Sequence, residues 1–133
     1  MFSMCAFSDT ASYDALVKSG AIGSLKRDVL VEASRDLEYL STIASCFPQM
    51  SAAAEEEAIP NTVRLVEELI AAGLCQLATW GQDREPQILT QTRDEITALV
   101  ERSVRDEPFM FFLWITETGE AWVACYEKLI SEL

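Results

Sequence analysis

The chain has 133 residues, half of them hydrophobic, enough for one buried core and too few for two comfortable domains. Its 22 acidic residues against 10 basic ones leave a formal net charge of -12, which repels phosphate backbones and anionic headgroups at long range and attracts basic partners. With no His, and with Cys5, Cys46, Cys75 and Cys125 widely spaced, the donor pairs of a zinc or haem site are missing, and no apolar stretch reaches the length of a membrane span.

Residues 1–26 read as an N-terminal arm. It holds a short helix over Asp9 to Lys18, then Ser19-Gly20 and Gly23-Ser24 as a helix stop and loop. The apolar opening from Met1 to Phe7 lacks the basic flank and length of a secretory leader. Reduced thiols in a cytoplasmic protein are therefore expected, with Cys46, Cys75 and Cys125 acting as small buried hydrophobes, although an even cysteine count leaves disulfides open. Residues 27–133 are expected to form a single domain. In it, Leu30, Ala33, Leu37, Leu40 and Ala44 recur at spacings of three and four, predicting one helix that stops before Pro48.

Ser51 followed by three alanines and Glu55, Glu56 and Glu57 has the composition of a short capped helix. The chain restarts at Ile59-Pro60-Asn61-Thr62, and Val63, Val66 and Ile70, with Leu65 and Leu69 beside them, predict an amphipathic helix that Gly73 ends in a left-handed cap. Leu74 to Trp80 reads as a strand and Gly81-Gln82-Asp83 as a turn. Thr92 and Glu95 form a capping-box pattern for a helix burying Ile96, Leu99, Val100 and Val104, with Glu101 and Arg105 paired outside. The apolar, aromatic run from Phe109 to Ile115 predicts a central strand. Thr116 then caps a last helix that returns Trp122, Tyr126, Leu129 and Ile130 to the core.

Three stretches carry a resemblance: the helix-to-strand passage from Thr62 through Ala72-Gly73-Leu74, the capped helix after Thr92, and the strand-to-helix junction Trp114-Ile-Thr-Glu-Thr-Gly-Glu-Ala-Trp122. Together they resemble small bacterial winged-helix-like proteins of uncharacterised function. The resemblance implies an α+β, mainly helical fold with two wing strands, a helix inserted between them and a C-terminal helix. It also implies that residues 61–72 stand where a DNA-binding relative has its recognition helix. There the outward set includes Arg64, Glu67 and Glu68, and the wing offers Asp83, Arg84 and Glu85, whereas phosphate contact wants Lys or Arg.

Catalytic chemistry finds no foothold in the sequence. Acid–base pairs need opposed environments that split two pKa values, cysteine lacks a His base, and the five glycines form no phosphate loop. No cofactor is expected. The leading expectation is a non-enzymatic acidic module that binds a basic protein, most concretely an immunity protein neutralising a nuclease toxin, whose composition it shares, with no direct contact to nucleic acid or membrane. Its candidate contacts are Glu55, Glu56, Glu57, Glu67, Glu68, Asp83 and Glu85, together with Trp80 beside the wing as an exposed aromatic. A winged-helix regulator acting as a dimer or through a basic partner is the alternative, and a small carboxylate-dependent enzyme is the second.

Overall fold

The computed structural model describes residues 13–50, 57–90 and 93–132. In it helix α1, Tyr13–Lys18, buries Tyr13 and Leu16 before Gly20, at φ +87, turns the chain into α2, Ala21–Arg35. Gly23 and Ser24 lie inside α2 and not in a loop, because Ile22, Leu25, Val29, Leu30 and Ala33 present one continuous buried stripe that carries the helix past them. Residues 13–26 thus pack into the same core as those that follow.

The single helix expected up to Pro48 is divided in the structure. At Asp36 the backbone leaves helical space (φ -153, ψ -98), and Glu38–Tyr39 forms a short strand, β1, before α3, Leu40–Met50. The spacing of Leu30, Ala33, Leu37, Leu40 and Ala44 continues across this break because both helices bury apolar residues. What interrupts it is pairing of Glu38 and Tyr39 with Leu113 and Phe112, far along the chain. Pro48 falls inside α3, where its missing N–H removes one bond of the final turn and the helix still reaches Met50. The helix expected from Ser51 to Glu57 lies outside the described residues except at Glu57, and Thr92 of the capping box lies outside them too.

Helix α4, Ala58–Ala71, carries Pro60 in its first turn, where an N–H would have no partner, and buries Val63, Leu65, Val66 and Leu69. Gly73, at φ +76, ends it as expected. Strand β2, Cys75–Trp80, then passes through a 3-10 turn at Gln82–Arg84 into a strand not foreseen from sequence, β3, Pro86–Leu89. Helix α5, Arg93–Arg105, follows and buries Ile96, Val100 and Ser103. Val104, expected inward, is exposed, because the stripe at intervals of four and three from Ile96 runs through Ser103. The Arg105–Glu101 pair forms at 3.7 Å on the outer face.

Strand β4, Phe111–Ile115, is central as expected, lying between β1 and β2 in an antiparallel sheet of order β1-β4-β2-β3. Alternation along β4 and β2 sends Phe111, Leu113, Ile115, Cys75 and Leu77 into the helix-side core. Phe112 and Ala78, equally buried, stand on the opposite face. Being buried on both faces accounts for the uninterrupted apolar run, each large side chain contributing about 1.5–3 kcal/mol.

The last helix, α6, Glu117–Ser131, starts where Thr116 accepts a hydrogen bond from the Gly119 N–H at 3.0 Å. The Thr116 N–H and hydroxyl meanwhile donate to the carbonyls of Leu74 (3.1 Å) and Gly73 (2.6 Å). The Ala-Gly-Leu and Thr-x-x-Gly stretches read separately from sequence therefore meet in space. Beyond that anchor α6 is less buried than its pattern suggested. Val123 is in the core and Trp122 and Tyr126 are half-buried, but Leu129 and Ile130 are exposed, Ile130 on an open cleft shared with Asp28, Val31, Glu32 and Arg35 of α2. Cys125, expected inside, faces out on the same helix, whereas Cys75 is buried and Cys46 half-buried. Among the described residues no helix is long and apolar enough to cross a membrane.

Candidate functional site

On the sheet face away from the main core, the short strand β1 brings Tyr39 beside Phe112 and Phe109, edge to face at 6.0 and 5.3 Å between centroids. Trp80, at the end of β2, lies against Phe112 at 4.7 Å, and Trp114 approaches Phe112 from the other side at 6.3 Å. These contacts leave Trp80 and Trp114 half-buried, so Trp80 is less exposed than its position beside Gly81 suggested.

The aromatic that does stand out is Phe109, 67% exposed, which sequence placed inside a strand. It precedes β4, in a segment fixed by three side chains from α3 and β2. The hydroxyl of Ser41 donates to the Pro108 carbonyl at 2.6 Å, the indole N–H of Trp80 to Phe109 at 3.2 Å, and the hydroxyl of Thr79 to Met110 at 3.0 Å. Upstream, Arg102 binds the Glu107 carboxylate at 2.8 Å and lies over the Phe111 ring at 5.0 Å. Three consecutive carbonyls are thus held while the ring between them is offered to solvent. The backbone that carries Phe109 is thereby held, and the ring itself rests edge to face against Tyr39.

Phe109, Met110, Tyr39, Trp80, Arg84 and Glu107 line an open cleft of about 600 Å³. Its far wall is the β2–β3 turn, closed by the Gly81 N–H donating to the Glu85 carbonyl at 2.8 Å. Within the turn both Asp83 (φ +62) and Arg84 (φ +59) are left-handed. Such a conformation costs a residue with a Cβ about 1–2 kcal/mol, and Asp tolerates it better than Arg. The exposed carboxylates of Asp83, Glu85 and Asp106 surround this end of the molecule without lining the cleft.

The expected contact acids are divided between two places. Asp83 and Glu85 share the turn with Trp80, whereas Glu57, Glu67 and Glu68 belong to the N-terminus and face of α4, and Glu55 and Glu56 lie outside the described residues. Glu67 lines a smaller cleft of about 360 Å³ with Ile59, Pro60, Val63, Arg64 and Thr97. Glu68 is engaged within the chain. Its carboxylate accepts from the Tyr13 hydroxyl at 2.6 Å and pairs with Lys26 at 2.7 Å and with Arg64 at 3.6 Å. Burial pushes the Glu68 carboxyl upward, but the bonds from Lys26 and Tyr13 and the charges of Lys26 and Arg64 outweigh it and hold the group below its ordinary value. Burial, and then the bond to Glu68, push the Tyr13 phenol up. Arg64 also pairs with Asp14 at 2.9 Å and stacks on the Tyr13 ring at 4.3 Å. Lys26 and Arg64, the basic groups at this part of α4, are therefore already neutralised.

Sequence reasoning did not single out Phe109, Tyr39 and Met110, which line this cleft. Pro108, immediately before an aromatic run, hinted that the strand begins later than its hydrophobicity does. Nothing local marked Tyr39, whose place depends on pairing with β4. Among the described residues no group of three or more His, Cys, Asp or Glu side chains could hold a metal ion. A scan against protein-family models, a search of curated proteins and a search of solved structures found no match to this chain.

Proposed function

We propose that this is a non-enzymatic acidic module that binds a basic protein through the cleft between the β2–β3 turn and residues 107–110. The observation that carries the reading is Phe109: a 67% exposed ring on a segment whose carbonyls are held by Ser41, Thr79 and Trp80. Interfaces draw most of their energy from a few aromatic anchors in water-excluding surroundings, and an anchor already fixed in place loses little entropy on binding. Around it Asp83, Glu85 and Asp106 add a local negative rim to the net charge of -12, which steers a cationic surface into encounter. A nuclease toxin is the most concrete such partner, because its active-site cleft must itself attract phosphates. Cytoplasmic residence belongs to the same proposal.

The strand order also supports a winged-helix-like core, with β1 following α2, α4 leading into β2, and β4 returning between β1 and β2. On that reading β3 and α5 are inserted between the two wing strands. A DNA-contacting role is less well supported, since Arg64 and Lys26 at α4 are held by Asp14 and Glu68. No mobility shift with duplex DNA at low salt is expected, and tight binding there would sink the protein-binding reading in favour of a regulator.

The test begins by capturing partners from native extract with the wild-type chain and identifying them. A captured protein supports the reading if it is net basic, if Asp83→Lys with Glu85→Lys slows its association about tenfold at low salt, and if Phe109→Ala weakens binding by about 2 kcal/mol. Equal kinetics for wild type and both variants would overturn it.

A further inference from the structure

Helices α2 and α6 pack together, and an open cleft of about 690 Å³ lies between them. On α2 it is lined by Asp28, Val31, Glu32 and Arg35, which at intervals of three and four share one helix face over about two turns. On α6 it is lined by Tyr126, Glu127 and Ile130. Each wall thus presents an acid and, three residues on, an aliphatic side chain: Asp28 with Val31, and Glu127 with Ile130. The two acids stand at one level of the groove, because the residues immediately before them meet across it, the Arg27 guanidinium lying over the Tyr126 ring at 5.6 Å. That ring is held by Trp122, stacked at 5.4 Å, and Arg27 donates to the Ser24 hydroxyl at 3.0 Å. Charge sets this cleft apart. The clefts beside α4 and beside the β2–β3 turn are each lined by one Arg and one Glu, whereas this one has three carboxylates against one guanidinium. Arg35 is paired with Glu32 at 3.6 Å, and Asp28 and Glu127 make no ion pair among the described residues. Ile130, 49% exposed, leaves an apolar surface beside them.

From this we infer that the groove between α2 and α6 docks a basic amphipathic helix of a partner protein. The apolar side chains of that helix lie on Val31, Tyr126 and Ile130, and a Lys or Arg one turn away sits between Asp28 and Glu127. Two helices flanking a groove accept a third along it, read by anchors three and four residues apart. The apolar contact supplies most of the energy, since exposed ion pairs contribute little, and the cation fixes which face of the helix enters. A second copy of this chain is a poor occupant, because its own exposed α6 edge would bring Glu127 and Glu132 against the acids already there. The groove shares no residue with the cleft beside the β2–β3 turn. It is therefore a second interaction surface, and it stands or falls without the first.

The probe is the peptide fluorescein-Gly-Ala-Lys-Leu-Ala-Ala-Lys-Leu-Ala-Lys-Leu-Ala-Ala-Lys-Leu-amide, which as a helix places Leu and Lys on adjoining faces. It is titrated into the full chain at low salt and followed by fluorescence anisotropy. Replacing every Lys of the peptide by Gln, or every Leu by Ser, is expected to weaken binding about tenfold. In the protein, Asp28→Asn with Glu127→Gln is expected to weaken it about fivefold, and Ile130→Ser as much, each with an unchanged circular dichroism spectrum. Asp94→Asn with Glu101→Gln removes the same charge from α5 and is expected to leave affinity within about twofold of wild type. The inference is overturned if the peptide does not bind, if either substituted peptide binds as tightly, or if the two double variants weaken binding equally, so that only net charge is felt. It is also overturned if Phe109→Ala weakens the peptide as much as Ile130→Ser does, which would place it in the other cleft. Sedimentation showing a dimer that Ile130→Ser dissociates would likewise overturn it, by making the groove a contact between copies. Loss of basic-partner binding in Phe109→Ala, with this peptide's affinity unchanged, separates the two surfaces.

Discussion

Replacing Gly119 by Ala sets helix propensity against packing with opposite signs. Gly119 lies in the first turn of α6 with an ordinary negative φ, so propensity alone predicts stabilisation by up to about 1 kcal/mol. The new methyl would, however, run into the Leu74 carbonyl oxygen and come within 2.6 Å of the Ile115 side chain. Backbone cannot move aside there as a flexible side chain would, because Leu74 accepts the Thr116 N–H and Gly73 accepts the Thr116 hydroxyl. Overpacking of this kind costs about 1–3 kcal/mol, and weakening the two hydrogen bonds adds about 1 kcal/mol apiece. After subtracting the propensity gain, the net expectation is a loss of about 2–4 kcal/mol. Urea unfolding followed by circular dichroism measures it, read as a lower midpoint at constant slope. A midpoint equal to wild type or higher would refute the claim that the end of α4 and the start of α6 are locked at this glycine.

Two further predictions follow from burial of titratable groups. Desolvation by burial, and then the charge of Glu32, push the Glu38 carboxyl up to about 7. The folded state then holds a proton that the unfolded chain releases earlier, so this group's contribution to stability falls as pH rises from the ordinary carboxyl range to about 7. Denaturation midpoints across pH 5 to 8 should decline more steeply in wild type than in Glu38→Gln, and parallel curves would exclude the effect. Of Cys46, Cys75 and Cys125, the exposed Cys125 should alkylate first. Burial pushes the Cys46 thiol up and the Cys75 thiol to about 12, so Cys75 should react only on unfolding. Peptide mass spectrometry after brief iodoacetamide treatment tests the order, and early modification of Cys75 would contradict its burial.

The parts of this protein that were legible in the sequence are those that neighbours along the chain decide. The stop at Gly73 follows from a left-handed backbone that glycine adopts freely, the cap at Thr116 from a hydroxyl three residues before an N–H in need of a partner, and the centrality of β4 from an unbroken apolar run that only a doubly buried strand requires. The excess of acid over base, and its extension into α4 and the turn, was equally plain. Tertiary contact decided the rest. Glu38 and Tyr39 leave a pattern that reads as helix because β4 offers an edge to pair with, and Phe109 leaves a pattern that reads as strand because Ser41, Thr79 and Trp80 take its segment's carbonyls. Glu68, indistinguishable in sequence from Glu67, is bound by Tyr13, Lys26 and Arg64 from other turns and elements. In each case the deciding partner is distant in sequence, and periodicity records only which residues prefer burial, not which surface will bury them.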